Sequence, residues 1–216
     1  MFPLIELRNI SFSYTPAKTI LKDLNFQLFK GEKVALLGEN GSGKTTLFHI
    51  IMGLLPVNSG EIYLFGNLMK TEEDFKKYRI KIGFLFQDSD DQLFSPTVID
   101  DVAFGPLNIG FKGEEARNIA EETLKKLKIY HLKDRITYKL SGGEKRMVAL
   151  ATILAMNPEI LLLDEPTNGV DKKHLNLLID FLKDTNLSFI IISHDENFIN
   201  QVTKKKVLLQ HGKIIS

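Results

Sequence analysis

"VALLGENGSGKTTLFHIIMGLL", residues 34–55, sets an apolar run, a glycine-rich loop and a helix-forming stretch end to end. The opening run reads as a strand buried on both sides, and the text after Lys44 has the apolar spacing of a helix. Between them "GENGSGKT" (Gly38 to Thr45) carries the P-loop spacing, in the strand, loop and helix context that gives that spacing its meaning. Gly41 and Gly43 let the backbone turn its N–H groups inward, and the helix start adds partial positive charge, so phosphate oxygens meet several donors together. Gly38, Glu39, Asn40, Gly41, Ser42, Gly43, Lys44, Thr45 and Thr46 are therefore expected to wrap a nucleotide's phosphates. Lys44 should reach the β- and γ-phosphates, and Thr45 should ligate Mg²⁺. An ordinary glycine-rich turn would not need strand, loop, lysine and helix to agree.

Around this loop the chain continues as short apolar strands, "IGFLFQ", "EILLLDE" and "SFIIIS", separated by helical text. That is the pattern of an α/β fold with a mostly parallel sheet. Residues 4 to about 30 alternate instead, with "TPAK" between the two halves, and predict an N-terminal antiparallel hairpin. From about 88 to 140 no buried strand occurs, and "KGEEARNIAEETLKKLKIYHL" predicts a helical insert. The final "KKKVLLQHGKIIS" reads as a last hairpin that ends the fold.

The 216 residues are 44% hydrophobic and 25% charged, with a net charge of +1, enough for a sizeable core and too evenly mixed for a basic nucleic-acid-binding face. There is no cysteine, which excludes disulfides and cysteine metal sites and suits a reducing, cytoplasmic setting. Apolar runs such as "HIIMGLLPV" fall short of the roughly 20 residues that span a bilayer. "MFPLIELRN" lacks the basic start and long apolar core of a signal peptide.

"ILLLDEPT" puts Asp164 and Glu165 at the tip of a buried strand, where open α/β sheets hold their ligands. Asp164 can hold the Mg²⁺ shell and Glu165 can polarise an attacking water. His194, in "IIISHDE", ends another apolar strand and is placed to contact the γ-phosphate. His49, His131, His174 and His211 read as structural or exposed. Gln87 ends "IGFLFQ", where an amide can ligate Mg²⁺ and reach the water. Tyr14 is either a base-stacking aromatic or an ordinary strand residue. A further anion site arises in "LSGGEKR", residues 140–146, with Ser141 as N-cap and Glu144 at the third helical position.

In this order "GENGSGKT", the glutamine of "FLFQ", "LSGGE", "ILLLDEPT" with "TNGVD", and the histidine of "IISHD" resemble the nucleotide-binding ATPase subunits of ABC transporters. The likeness runs over essentially the whole chain, 1–216, as one domain: a P-loop NTPase core of 1–87 and 157–216, and a helical signature subdomain of about 88–156. It implies ATP and Mg²⁺ as ligands, and a head-to-tail pair in which Ser141, Gly142 and Gly143 cover the nucleotide held by the other chain, with Asp171 at the interface. The family more often has glutamine where Glu144 stands, so no contact from that side chain to ATP is implied. The pair would be a homodimer or a heterodimer with a related ATPase, attached through transmembrane transporter subunits to the cytoplasmic face of the membrane.

"FQDSDDQLFSPTVIDDVAFGPLNIGF", residues 86–111, is similar to the ATPases of energy-coupling-factor transporters, which include cobalt, nickel and vitamin importers. Many vitamin-type members carry an added C-terminal region, and this chain ends soon after its histidine loop, so the expectation is a cobalt or nickel importer, with a vitamin importer as the alternative. A non-transport ABC ATPase would bring long coiled coils or two cassettes. A small-molecule kinase would leave "LSGGE" and "SHD" without a use.

Overall fold

The computed structural model describes residues 2–16 and 18–215. Met1, Ala17 of the expected "TPAK" turn and Ser216 of the last hairpin lie outside them. The first sheet is antiparallel, in the order β2-β1-β4-β5, formed by β1 (Ile5–Thr15), β2 (Lys18–Leu28), β4 (Ser59–Leu64) and β5 (Asn67–Leu68). The predicted hairpin is present, with Ile5 opposite Leu28 and Phe12 opposite Leu21. It is widened by β4 and β5, which the sequence reading did not single out.

The second sheet runs β10-β9-β3-β8-β7-β6. Its strands are β3 (Lys33–Leu37), β6 (Ile82–Leu85), β7 (Ile160–Asp164), β8 (Ser188–Ile192), β9 (Lys205–Gln210) and β10 (Lys213–Ile215). All neighbours are parallel except the edge pair β9 and β10. The final hairpin is therefore also a sheet extension, since β9 pairs with β3. The strand expected to end at Gln87 ends at Leu85, which leaves Phe86 and Gln87 in the loop beyond it.

Each central strand is apolar through its middle because both faces are covered. Leu161, Leu163, Phe189 and Ile191 face a core shared with the helices, whereas Ile160, Leu162, Ile190 and Ile192 face a second core shared with the antiparallel sheet. Helix α1 (Lys44–Ile51) lies in that second core, with Leu47, Phe48, Ile50 and Ile51 fully buried. The apolar residues of this helix pin the glycine-rich loop ahead of it between the two sheets.

Helix α2 (Glu72–Arg79) precedes β6. Between β6 and β7 the chain is helical, with α3 (Val98–Asn108), α4 (Gly113–Lys126) and α5 (Gly142–Leu154). Helices α6 (Lys172–Asp184) and α7 (Glu196–Val202) follow β7 and β8. No helix among the described residues is long and apolar enough to cross a membrane.

Candidate functional site

The parallel neighbours β3, β8, β7 and β6 end side by side. The P-loop follows β3, His194 follows β8, Asp164 closes β7, and Gln87 lies two residues past β6. Residues as far apart in sequence as Gly38 and His194 thereby share the carboxyl edge of one sheet, the usual ligand position in such folds. Tyr14, Lys44, Thr45, Gln87, Asp164 and His194 line one open cleft of about 460 Å³ there.

Two glycines of the loop are fixed by crowding. A Cβ on Gly38 would stand 2.5 Å from the Leu209 carbonyl oxygen, and one on Gly43 would stand 2.7 Å from Ile20 Cγ2. Gly43 is also the N-cap of α1 at φ 104°, with no side chain capping the helix and no acid in its first turn. The helix start therefore keeps its free N–H groups and uncompensated positive end for an anion. Ser42 Oγ is buried and finds no hydrogen-bond partner among the described residues. That free donor suits a loop built around phosphate oxygens.

Lys44 is buried, and its Nζ donates to the carbonyl oxygens of Gly38 at 2.8 Å and Glu39 at 2.9 Å. Burial holds its pKa below the ordinary lysine value, against the pull of Glu165 and Asp164. Thr45 Oγ1 donates to Asp164 Oδ2 at 2.7 Å, so hydroxyl and carboxylate converge from opposite sides of the cleft. Tyr14 packs its ring edge-on to Phe12 and brings its hydroxyl within 3.1 Å of Thr46 Oγ1, while its ring stays largely exposed.

Burial raises the pKa of both adjacent acids; Thr45 and Arg146 oppose the effect at Asp164, and His194 opposes it at Glu165. Glu165 adopts φ 46°, a left-handed conformation that costs energy in a residue with a Cβ. Its N–H donates to Ile192 O at 2.9 Å, and its Oε1 lies 3.2 Å from His194 Nε2. A buried, strained carboxylate aimed into a cleft beside a lysine and a histidine can polarise a water.

Ser141 caps α5 as the sequence predicts. Its N–H donates to Glu144 Oε2 at 2.8 Å, and its Oγ accepts from Glu144 N at 3.3 Å. The Glu144 carboxylate is thus engaged in its own helix, and the Ser141 N–H lowers its pKa. Gly142 and Gly143 press on the loop after β7: a Cβ on Gly142 would meet Gly169 O at 2.8 Å, and one on Gly143 would meet Asp171 Oδ2 at 2.5 Å. Asp171 caps α6 by accepting from the N–H groups of Lys173 and His174, and it lies 2.5 Å from His174 Nδ1. Ser141 to Gly143 do not line the cleft that holds Lys44 and Glu165.

Sequence reasoning missed one residue. Arg146 is 2% exposed and its guanidinium donates to the carbonyls of Phe86, Asp164, Glu165 and Pro166. Its signal was an arginine directly before the apolar run "MVALA", which is buried, and a charge there needs several partners. His174, read as structural or exposed, is the structural kind, buried against Asp171 and Gly143.

A P-loop joined to an acidic strand end at the carboxyl edge of a parallel sheet defines a P-loop nucleoside triphosphatase. The sequence profile of the ABC transporter family matches residues 21–168, and the chain belongs to that family. It is 49% identical over 215 residues to a putative ABC transporter ATP-binding protein of Brucella suis, spanning 100% of this chain and 89% of that protein. The energy-coupling factor transporter ATP-binding protein EcfA of Methanothermobacter thermautotrophicus is 41% identical, over 99% of this chain and 70% of that one. CbiO1 of Clostridium perfringens, described as part of the ABC transporter complex CbiONQ, superposes with a TM-score of 0.88 at 34% identity, over 100% of this chain and 88% of that one. A dimeric ATP-binding cassette in a post-hydrolysis state, bound to ADP and phosphate, superposes with a TM-score of 0.86 at 28% identity, covering 98% and 97%. The chain is an ATP-hydrolysing, ATP-binding subunit of the ABC transporter family, and an energy-coupling-factor ATPase stands among its relatives.

Proposed function

We propose that this chain powers an energy-coupling-factor importer, with cobalt or nickel ions as the cargo. The P-loop and Lys44 bind the ATP phosphates, Thr45 and Asp164 hold Mg²⁺ with Gln87, Tyr14 stacks on the base, and Glu165 orients the water while His194 holds Glu165. The 2.7 Å approach of Thr45 Oγ1 to Asp164 Oδ2 supports the metal assignment, because a hydroxyl and a carboxylate form an all-oxygen donor set suited to that ion. When bound, Mg²⁺ would supply charge neutralisation at the phosphates.

One observation supports the paired mechanism: Ser141 and Gly142 are exposed at the start of α5, and Ser141 lines neither the cleft that holds Lys44 nor the groove beside Asp164. Although Ser141 and Glu144 cap each other there, the exposed N–H groups at this helix start would serve as an anion site for a nucleotide held elsewhere. A second copy, or a related ATPase, would bring that nucleotide. The helical part, about 88–156, would then move with the signature as one unit.

Gln87, Asp88, Asp90 and Asp91 share a groove with the apolar Leu54, Phe84 and Phe86. This groove is the proposed seat of a cytoplasmic helix of the transmembrane subunit, and it would hold the chain at the cytoplasmic face of the membrane. The likeness to CbiO1, part of an ABC transporter complex, supports assembly with transporter subunits; the metal-ion cargo rests on the resemblance of residues 86–111, and vitamin uptake is the alternative. Uptake of labelled cobalt and nickel, measured in cells with and without Lys44→Ala, tests the cargo. Uptake of either ion that depends on Lys44 supports the proposal; vitamin uptake with that dependence, and no metal uptake, favours the alternative.

A further inference from the structure

We propose that Arg146 is a positioning residue that transmits the state of the signature helix to the catalytic edge of its own chain. This rests on the reading that Ser141 to Gly143 cover the partner's nucleotide. Arg146 stands on α5, five residues after the N-cap, so it moves rigidly with the signature. Its planar fork reaches two separate loops. Nη1 donates to Phe86 O at 2.5 Å and contacts Ser89 Oγ at 3.4 Å, on either side of Gln87. Nε donates to Pro166 O at 3.2 Å, and Nη2 donates to Asp164 O at 2.9 Å and to Glu165 O.

Three successive carbonyls of the acidic strand end are thus gathered on one guanidinium. They flank the one residue of that turn whose backbone is in the left-handed region, Glu165 at φ 46°. Such a conformation persists only where its surroundings over-determine it, and here Arg146 holds the carbonyl side of the turn while Ile192 O holds the Glu165 N–H. A burial this deep draws the guanidinium pKa down to about 10, yet it remains charged at neutral pH. Its carbonyl partners therefore see a full cation. A shift of α5 when the signature engages ATP would move the Glu165 turn and the Gln87 loop together. No other side chain of α5 donates to both loops among the described residues.

Arg146→Lys keeps the charge but gives a point donor in place of a fork, so it cannot span both loops. The expected result is a kcat loss of up to about 10²-fold, the scale of a small misplacement of a reacting group, with the ATP KM nearly unchanged. In a Glu165→Gln background the same change should leave ATP-driven pairing intact, because the signature itself is untouched. A kcat within twofold of the parent, or a loss that falls equally on nucleotide binding and on the folded fraction, would overturn the proposal. Arg146→Gln is the second variant, and it should be at least as slow as Arg146→Lys. If neither folds, hydrogen exchange on Glu165→Gln decides: ATP should slow exchange jointly at 141–146, 86–89 and 163–166, and slowing confined to 141–146 would overturn it. A parent chain that hydrolyses ATP but never pairs would sink the composite-site reading separately, since its kcat comparison still stands.

Discussion

Glu165 Oε1 lies 3.2 Å from His194 Nε2, across the tips of the adjacent parallel strands β7 and β8. The carboxylate is nearly buried and the imidazole is half exposed, so the histidine closes the solvent side of the acid. Glu165→Gln should keep nucleotide binding and lower turnover by about 10²- to 10⁴-fold, the usual contribution of a positioned base. His194→Ala should lower turnover less, because Glu165 keeps its backbone anchor to Ile192 O. Phosphate release and binding of a fluorescent ATP analogue measure the two quantities. A Glu165→Gln variant that retains most of its turnover would remove the acid from the chemistry.

Burial raises the Glu165 pKa above its ordinary 4.5, and the base acts only when ionised. The acid limb of kcat against pH at saturating ATP should therefore lie above 4.5. A limb at or below that value would contradict the assignment. The same shift has a stability sign. The folded chain holds this proton more tightly than the unfolded chain, so ionising Glu165 costs stability as pH rises. Glu165→Gln should raise the melting temperature of the nucleotide-free chain near pH 8, and the gain should shrink as the pH approaches about 4.

The sheet and its ligand edge were legible because each strand tip carries its own marker: a P-loop after "VALL", an acid pair after "ILLL", a histidine after "FIII". Fully apolar strands also announced that both sheet faces are covered, as the split of Leu161 and Leu162 between two cores shows. The strands β4 and β5 escaped because "SGEIYL" and "NL" are short, half exposed and add to a hairpin already complete in pattern. Arg146 escaped for a different reason. Its partners are backbone carbonyls at Phe86 and at 164–166, which have no side-chain signature in sequence. The Asp171 and His174 contact was hidden likewise, since only the packing of Gly143 reveals what the pair supports.

Pairing provides the next check. On the proposed paired mechanism each composite site needs the P-loop of one chain and Ser141 to Gly143 of another, so the chain should be largely monomeric without ATP. With Mg-ATP and Glu165→Gln it should sediment as a dimer, and Ser141→Arg should abolish that dimer by blocking the helix start. A Glu165→Gln chain that stays monomeric at high concentration would point to a different ATPase as its partner.

Gly143 tests the contact between the signature and the loop after β7. Alanine in place of glycine normally favours a helix by about 1 kcal/mol. Here the added Cβ would sit 2.5 Å from Asp171 Oδ2 and 2.8 Å from His174 Nδ1, so the clash should win and Gly143→Ala should lower both the melting temperature and the ATP-driven dimer fraction. His174→Asn, which retains an N–H donor near the Nδ1 position, should stay closer to the parent than His174→Ala. Equal losses in the two histidine variants would show that the hydrogen bond to Asp171 is not what matters.

The acidic loop beside Gln87 tests the membrane partner. Asp90 is largely exposed yet pairs with Lys145 at 2.5 Å, and Asp88 accepts from the Asp90 N–H, so the loop is held in shape from within. Asp91 is exposed, and all three acids share the groove with Leu54, Phe84 and Phe86. Apolar floor and acidic rim together suit an amphipathic helix bearing arginines. Reversing Asp90 and Asp91 to lysine should leave nucleotide binding by the purified chain intact, because neither residue lines the P-loop cleft. Co-purification with the transmembrane subunit should fall, and solute uptake should fall with it. If assembly and uptake both survive the reversal, the loop is a solvated surface and the docking helix sits elsewhere. If assembly survives while uptake fails, the acids act after docking, in carrying the motion of the Gln87 loop to the membrane subunit.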